Sequence, residues 1–186
     1  PDARLPARAA VLVLSEEGET AASGVTGSLA AGLASRGWAV LTLGLESPSP
    51  VLSEILMRPV VEEPSAETGA GEQEAPESVM IDIMASESAE DLEARYRSRI
   101  SQTLQAGLAQ LAERGYETPA VLGVGRASIH VTNQVLEGAD AAALIWVASQ
   151  FYPVDRPDLP ERLESLSTKL LELYPSGAAD DQTKWS

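Results

Sequence analysis

The sequence predicts an α/β fold, a doubly wound parallel sheet of about five strands. Three observations carry that expectation. Short continuous apolar runs, the mark of strands buried on both faces, recur along the chain. Segments with helical periodicity separate them, so the connections read as βαβ crossovers. One strand, Pro119-Ala120-Val121-Leu122, runs through Gly123-Val124-Gly125-Arg126-Ala127 straight into a helix.

The first strand is Ala9-Ala10-Val11-Leu12-Val13-Leu14, followed by a polar, turn-like Ser15-Glu16-Glu17-Gly18-Glu19-Thr20. A helix with Val25, Leu29 and Leu33 on one face comes next, ended by Gly37. Trp38-Ala39-Val40-Leu41-Thr42-Leu43 is the second strand. Ser88 is a suitable N-cap for the longest helix, and Glu90 and Asp91 suit its positive dipole end. Leu92, Tyr96, Ile100, Leu104, Leu108 and Leu111 form its apolar stripe before Gly115. The third strand starts at Pro119, and the helix after it runs from Arg126 to about Glu137. Residues 141–148 give a fourth buried strand, residues 156–167 a short helix, and residues 169–174 the last strand.

A chain of 186 residues with 44% hydrophobic content fits one α/β domain, residues 1–186. Residues 45–87 read as an acidic, Pro/Gly-rich insert, largely flexible, because forty structureless residues are improbable inside a compact domain. Two apolar patches interrupt it: Val51, Leu52, Ile55 and Leu56, then residues 79–84. They either tack the insert onto the domain or form a lid over a site.

The net charge of −15 excludes a nucleic-acid binder, which needs clustered Lys and Arg, and disfavours anionic membrane surfaces. No apolar run is long enough for a membrane span. There are no cysteines, so disulfides, thiolate catalysis and Cys-ligated zinc are excluded. No His/Cys/Asp cluster has ligand spacing, so no metal and no cofactor is expected. The sequence opens on Pro1 without a signal-like segment, so any export peptide has been removed or was not included.

Ligands on such sheets bind beyond the carboxyl ends of the strands. Those ends carry Ser15 and Glu16, Gly125 and Arg126, Ser149, and a final loop with Asp180; of these, Ser15, Glu16, Ser149 and Asp180 are the candidate pocket lining. Gly123, Gly125, Arg126 and Ala127 have the frame of a G-x-S-x-G nucleophile elbow, in which the central side chain is lifted above the sheet. Gly125 has none to lift. Ser128 lies a turn further on and should point away from the apex. His130, the single histidine, sits within the following helix and reads as packed or surface-exposed. Gly123-Val124-Gly125-Arg126-Ala127-Ser128 also reads as a weak dinucleotide loop, without the acidic residue at the next strand end that would hold a ribose. Arg126 and the helix amides have the makings of a carboxylate or phosphate site.

The junction, the loop after the first strand and the Gly37-Trp38 strand start together resemble the α/β-hydrolase superfamily. More closely, the chain resembles an uncharacterised bacterial family of exported α/β-hydrolase-like proteins, known as a domain of unknown function. The resembling stretches are residues 11–18, 37–43, 96–127 and 142–174, and in that family too an acidic, proline-rich insert precedes the helix that carries Tyr96-Arg97. The resemblance implies a truncated hydrolase sheet in strand order 2-1-3-4-5 and a periplasmic or otherwise exported location. It places the loop at residues 15–18 as the oxyanion-hole loop, the Arg126 N–H as its second donor, and Asp180 or Asp181 as the acidic triad member. Gly125 stands where an α/β-hydrolase's nucleophile would be, and the chain stops at Ser186, before the loop that normally supplies the base.

The expected function is therefore a catalytically degenerate α/β-hydrolase-like domain, a pseudoenzyme with a binding or envelope accessory role toward a small molecule or a protein. An esterase-like enzyme with unorthodox or missing catalytic groups is the alternative. A nucleotide- or anion-binding doubly wound domain is the weaker one.

Overall fold

A computed structural model describes residue 7, residues 9–59 and residues 88–174. The described elements are β1 (Ala10–Glu17), α1 (Gly24–Ser35), β2 (Ala39–Leu45), α2 (Pro50–Leu56), α3 (Ala89–Glu113), β3 (Ala120–Val124), α4 (Ala127–Leu136), β4 (Ala143–Val147), α5 (Leu159–Glu164) and β5 (Leu170–Leu173). A 3-10 turn, Pro153–Asp155, precedes α5. The five strands form one sheet in the order β2-β1-β3-β4-β5, and every pair is parallel. This is the α/β architecture that the sequence predicts, in the strand order that the resemblance implies.

Alternation along the strands divides the interior between the two faces of the sheet. Leu12, Leu14, Val121, Leu144 and Trp146 point to the face covered by α3 and α4, where Ile100, Leu104, Leu111, Ile129 and Val131 complete the larger core. Val11, Val13, Leu122 and Val124 point to the other face and meet Leu29 and Leu33 of α1. The α3 stripe is buried as expected at Tyr96, Ile100, Leu104 and Leu111.

Several details depart from the sequence reading. β1 continues through Ser15, Glu16 and Glu17, with a register irregularity against β2 between Leu14 and Glu17. Ser15 explains the extension: its hydroxyl donates to Glu19 O (3.0 Å) and accepts from Leu45 N–H (3.0 Å), tying both strand ends together. Val25 is 51% exposed although it shares a face with Leu29, so the first turn of α1 overhangs the sheet. β4 alternates between buried and half-buried residues, because α1 packs on β1 and β2 and leaves that face of β4 less covered. The helix expected over 156–167 is shorter, α5 covering only Leu159–Glu164, and the 3-10 turn Pro153–Asp155 precedes it.

The segment expected to be irregular from Gly44 onward contains a helix. Ser49 caps α2 by accepting from Leu52 N–H, and Pro50 fills the first turn, where its missing N–H costs nothing. Leu52 and Leu56 are buried in the larger core. The first apolar patch thus packs into the larger core through Leu52 and Leu56. Residues 60–87, including the second patch, lie outside the described residues.

Candidate functional site

The order β2-β1-β3 sets the carboxyl end of β1 beside that of β3, so Glu16 and Glu17 come to rest next to Gly125. Gly125 has φ +56°, the left-handed conformation that side-chain-bearing residues avoid. It is held from both sides: its N–H donates to Val147 O (2.9 Å), and its carbonyl accepts from Gln150 N–H (3.1 Å). Its neighbour Gly123 is needed for a different reason. A Cβ there would lie 2.8 Å from the backbone of Ala127 and Ser128, so the first turn of α4 can sit on the strand only above a glycine. Gly123→Ala is expected to destabilise the protein by about 2 kcal/mol, since backbone must shift to make room; chemical denaturation of the variant checks this.

The apex is occupied, but by a side chain from another strand. A Cβ on Gly125 would fall 1.3 Å from Glu16 Oε2. The other oxygen, Glu16 Oε1, accepts from Glu17 N–H (2.9 Å) and from Arg126 N–H (3.1 Å). Two backbone donors from the ends of two adjacent strands therefore converge on one internal carboxylate. Hydrogen bonds to a charged acceptor are the stronger kind, worth about 1.5–3 kcal/mol each.

A second layer closes around the first. Arg126 reaches Glu17 Oε1 with Nη1 (3.4 Å), lies over the Tyr152 ring at 4.7 Å, and approaches the Met57 sulfur just beyond the end of α2. The buried Tyr152 hydroxyl donates to Glu17 Oε2. Burial, that hydrogen bond and the Glu17 charge all raise the Tyr152 pKa, so it stays a phenol and remains a donor. Tyr96 OH donates to Glu46 O (3.0 Å), and burial and the Glu17 charge likewise hold it protonated. An anion arriving at Arg126 would find its guanidinium paired with Glu17 and its N–H taken by Glu16.

The remaining sequence candidates are dispersed. Ser15 is completely buried in the β1–β2 tie described above. Ser149 stands at the end of β4 and donates to Glu172 of β5, next to Ala148, whose φ of +49° makes it the one described non-glycine residue with a positive φ. Ala127 and Ser128 are completely buried; Ser128 Oγ turns back to Gly123 O (3.4 Å), and its N–H bonds Gly125 O (3.2 Å). Among the described residues no serine or threonine hydroxyl takes the apex. His130 is buried in α4, edge-on to Tyr96 at 5.7 Å between ring centres. Asp180 lies outside the described residues. Among the described residues no group of His, Cys, Asp and Glu could hold a metal ion, and no helix is long and apolar enough to cross a membrane.

Sequence reasoning placed Glu16 near the site but not its carboxylate at the apex, and it missed Glu17, Tyr152 and Met57. The acidic pair directly after a central strand was the available signal for the first two. Tyr152 and Met57 reach the site from loops whose course no periodicity records.

Compared with known families, residues 2–185 match the family described as "Protein of unknown function (DUF3530)". The chain belongs to this family. The match covers nearly the whole chain, so the Gly125–Glu16 junction and the Tyr96-Arg97 helix both lie within the family's extent. Neither the comparison with curated proteins nor that with solved structures found a match.

Proposed function

We propose that this protein is a non-catalytic, α/β-hydrolase-like domain with a binding or accessory role in the bacterial envelope. One observation carries the reading: the Glu16 carboxylate fills the place of a nucleophile's side chain and occupies both nearby backbone donors. In a hydrolase, an N–H following the nucleophile and another from the loop after an adjacent strand stabilise the oxyanion. On this reading Arg126 N–H and Glu17 N–H are that pair, and a negative charge already bound there would repel a developing oxyanion. The single histidine supports the same conclusion. It is packed between α3 and α4, and burial, followed by the Arg97 charge, lowers its pKa to about 3. The envelope location rests on the family resemblance, and fractionation of cells making the full natural chain tests it.

The catalytic half of the proposal is tested with the wild type and with Gly125→Ser combined with Glu16→Ala. The double variant restores a hydroxyl and clears the carboxylate but supplies no base. Neither protein is expected to label with a fluorophosphonate or to turn over p-nitrophenyl acetate above a denatured control. Probe-sensitive turnover by the wild type would overturn the reading.

A further inference from the structure

A cavity lies away from the Gly125 junction, in the groove between α3 and α4. It measures about 450 Å³, within the ~300–1,000 Å³ range of small-molecule sites. A second hollow of about 350 Å³ shares Gln105, Gln134 and Glu137 with it, so the two form one groove. The lining is unusually rich in amides. Ser101, Gln102 and Gln105 of α3 face His130, Gln134 and Glu137 of α4.

Charge and hydrogen bonding narrow the ligand. Arg97, at one end, is already matched by Asp155 (2.8 Å) and Glu93 (2.7 Å). His130 is neutral near pH 7 and its Nε2 has no protein hydrogen-bond partner. Glu137 is a carboxylate, and the chain carries net charge −15, so anions are repelled. Ser101 Oγ donates to Gln134 Oε1 (3.0 Å) or Glu137 Oε2 (3.3 Å) and accepts from Gln105 Nε2 (3.3 Å). Gln102 Nε2 donates to Ser98 Oγ (3.2 Å). These bonds use neither the Gln102 and Gln105 carbonyl oxygens nor the Gln134 amide group, and all three residues line the groove. A wall that offers both donors and acceptors without net positive charge suits hydroxyl groups, each of which donates and accepts.

From this arrangement we infer that the α3–α4 groove binds an uncharged, hydroxyl-rich ligand of the saccharide class. The site is separate from the Gly125 junction and does not depend on whether that junction is inert. Amide NMR spectra of the protein titrated with maltose, trehalose and N-acetylglucosamine, and separately with sodium phosphate and sodium acetate, test it. At least one sugar is expected to give saturable shifts centred on residues 101–105 and 130–137, with none from the two anions. Gln102 and Gln105 are exposed on α3, so Gln102→Leu with Gln105→Leu should fold normally while weakening that sugar by about fivefold for each amide lost. The inference is overturned if no sugar gives saturable shifts in the groove, if the anions give the same shifts, or if the double variant binds as tightly as the wild type.

Discussion

Asp155→Ala is expected to lower folding stability by about 3–5 kcal/mol, the cost of leaving a largely buried charge without its partner. The Asp155 side chain is 5% exposed and accepts from Arg97 Nη2 at 2.8 Å, while Arg97 is 26% exposed. This pair joins α3 to the 3-10 turn that follows Tyr152, so it also fixes the segment that brings Tyr152 onto Glu17. Glu93 remains on Arg97 Nε in the variant and softens the loss toward the lower figure. For a chain of this size, 3 kcal/mol corresponds to a drop in Tm on the order of 10 °C. Replacing both partners, Arg97→Met with Asp155→Leu, should recover most of that loss, because a matched apolar pair avoids desolvating either charge. Calorimetry on the two variants checks both statements; a drop in Tm under about 2 °C for Asp155→Ala would contradict the first.

His130→Phe is expected to remove a large part of the protein's acid sensitivity. In the folded protein burial, and then the Arg97 charge, lower the His130 pKa to about 3, whereas in the unfolded chain it titrates near 6.5. Between these values the unfolded state binds a proton that the folded state does not. Its contribution to stability is therefore complete above pH ~6.5 and declines by up to about 1.4 kcal/mol per pH unit as pH falls toward the folded pKa. From pH 7 to pH 4 the wild type should lose about 3 kcal/mol more than the variant. Phenylalanine keeps a ring edge-on to Tyr96, so packing is largely retained. Carboxylates titrate in both proteins, and their effect cancels in the difference. Parallel stability curves over that pH range would show that His130 titrates normally in the folded state.

The two cases differ in how far the sequence foretold them. The strands were legible because continuous apolar runs separated by helical periodicity mark a parallel α/β sheet, whereas their order followed from the family resemblance. The α3 stripe was legible for the same reason. α2 was overlooked although Ser49-Pro50 is a helix-start signal, because the surrounding prolines and glutamates dominated the composition. That the apex residue has no side chain of its own could be read directly from Gly125. What replaces it could not, since Glu16 stands 110 residues from its donor Arg126, and the irregularity in β1 that aims the side chain has no periodic signature. Likewise, Tyr96-Arg97 was recognisable as a motif, but its partners Glu46, His130 and Asp155 come from three separate elements.

The stabilities of Gly125→Ala, Glu16→Ala and the double variant test the occupied apex most directly. In the wild-type background a Cβ at Gly125 both strains a left-handed backbone position and evicts the Glu16 carboxylate from its two donors. With Glu16 already truncated, only the backbone strain, about 1–2 kcal/mol, should remain. The double variant should therefore be about 1–2 kcal/mol more stable than the sum of the single effects predicts. Additivity within about 0.5 kcal/mol would mean that Glu16 does not sit on Gly125, and the account of the junction would fail.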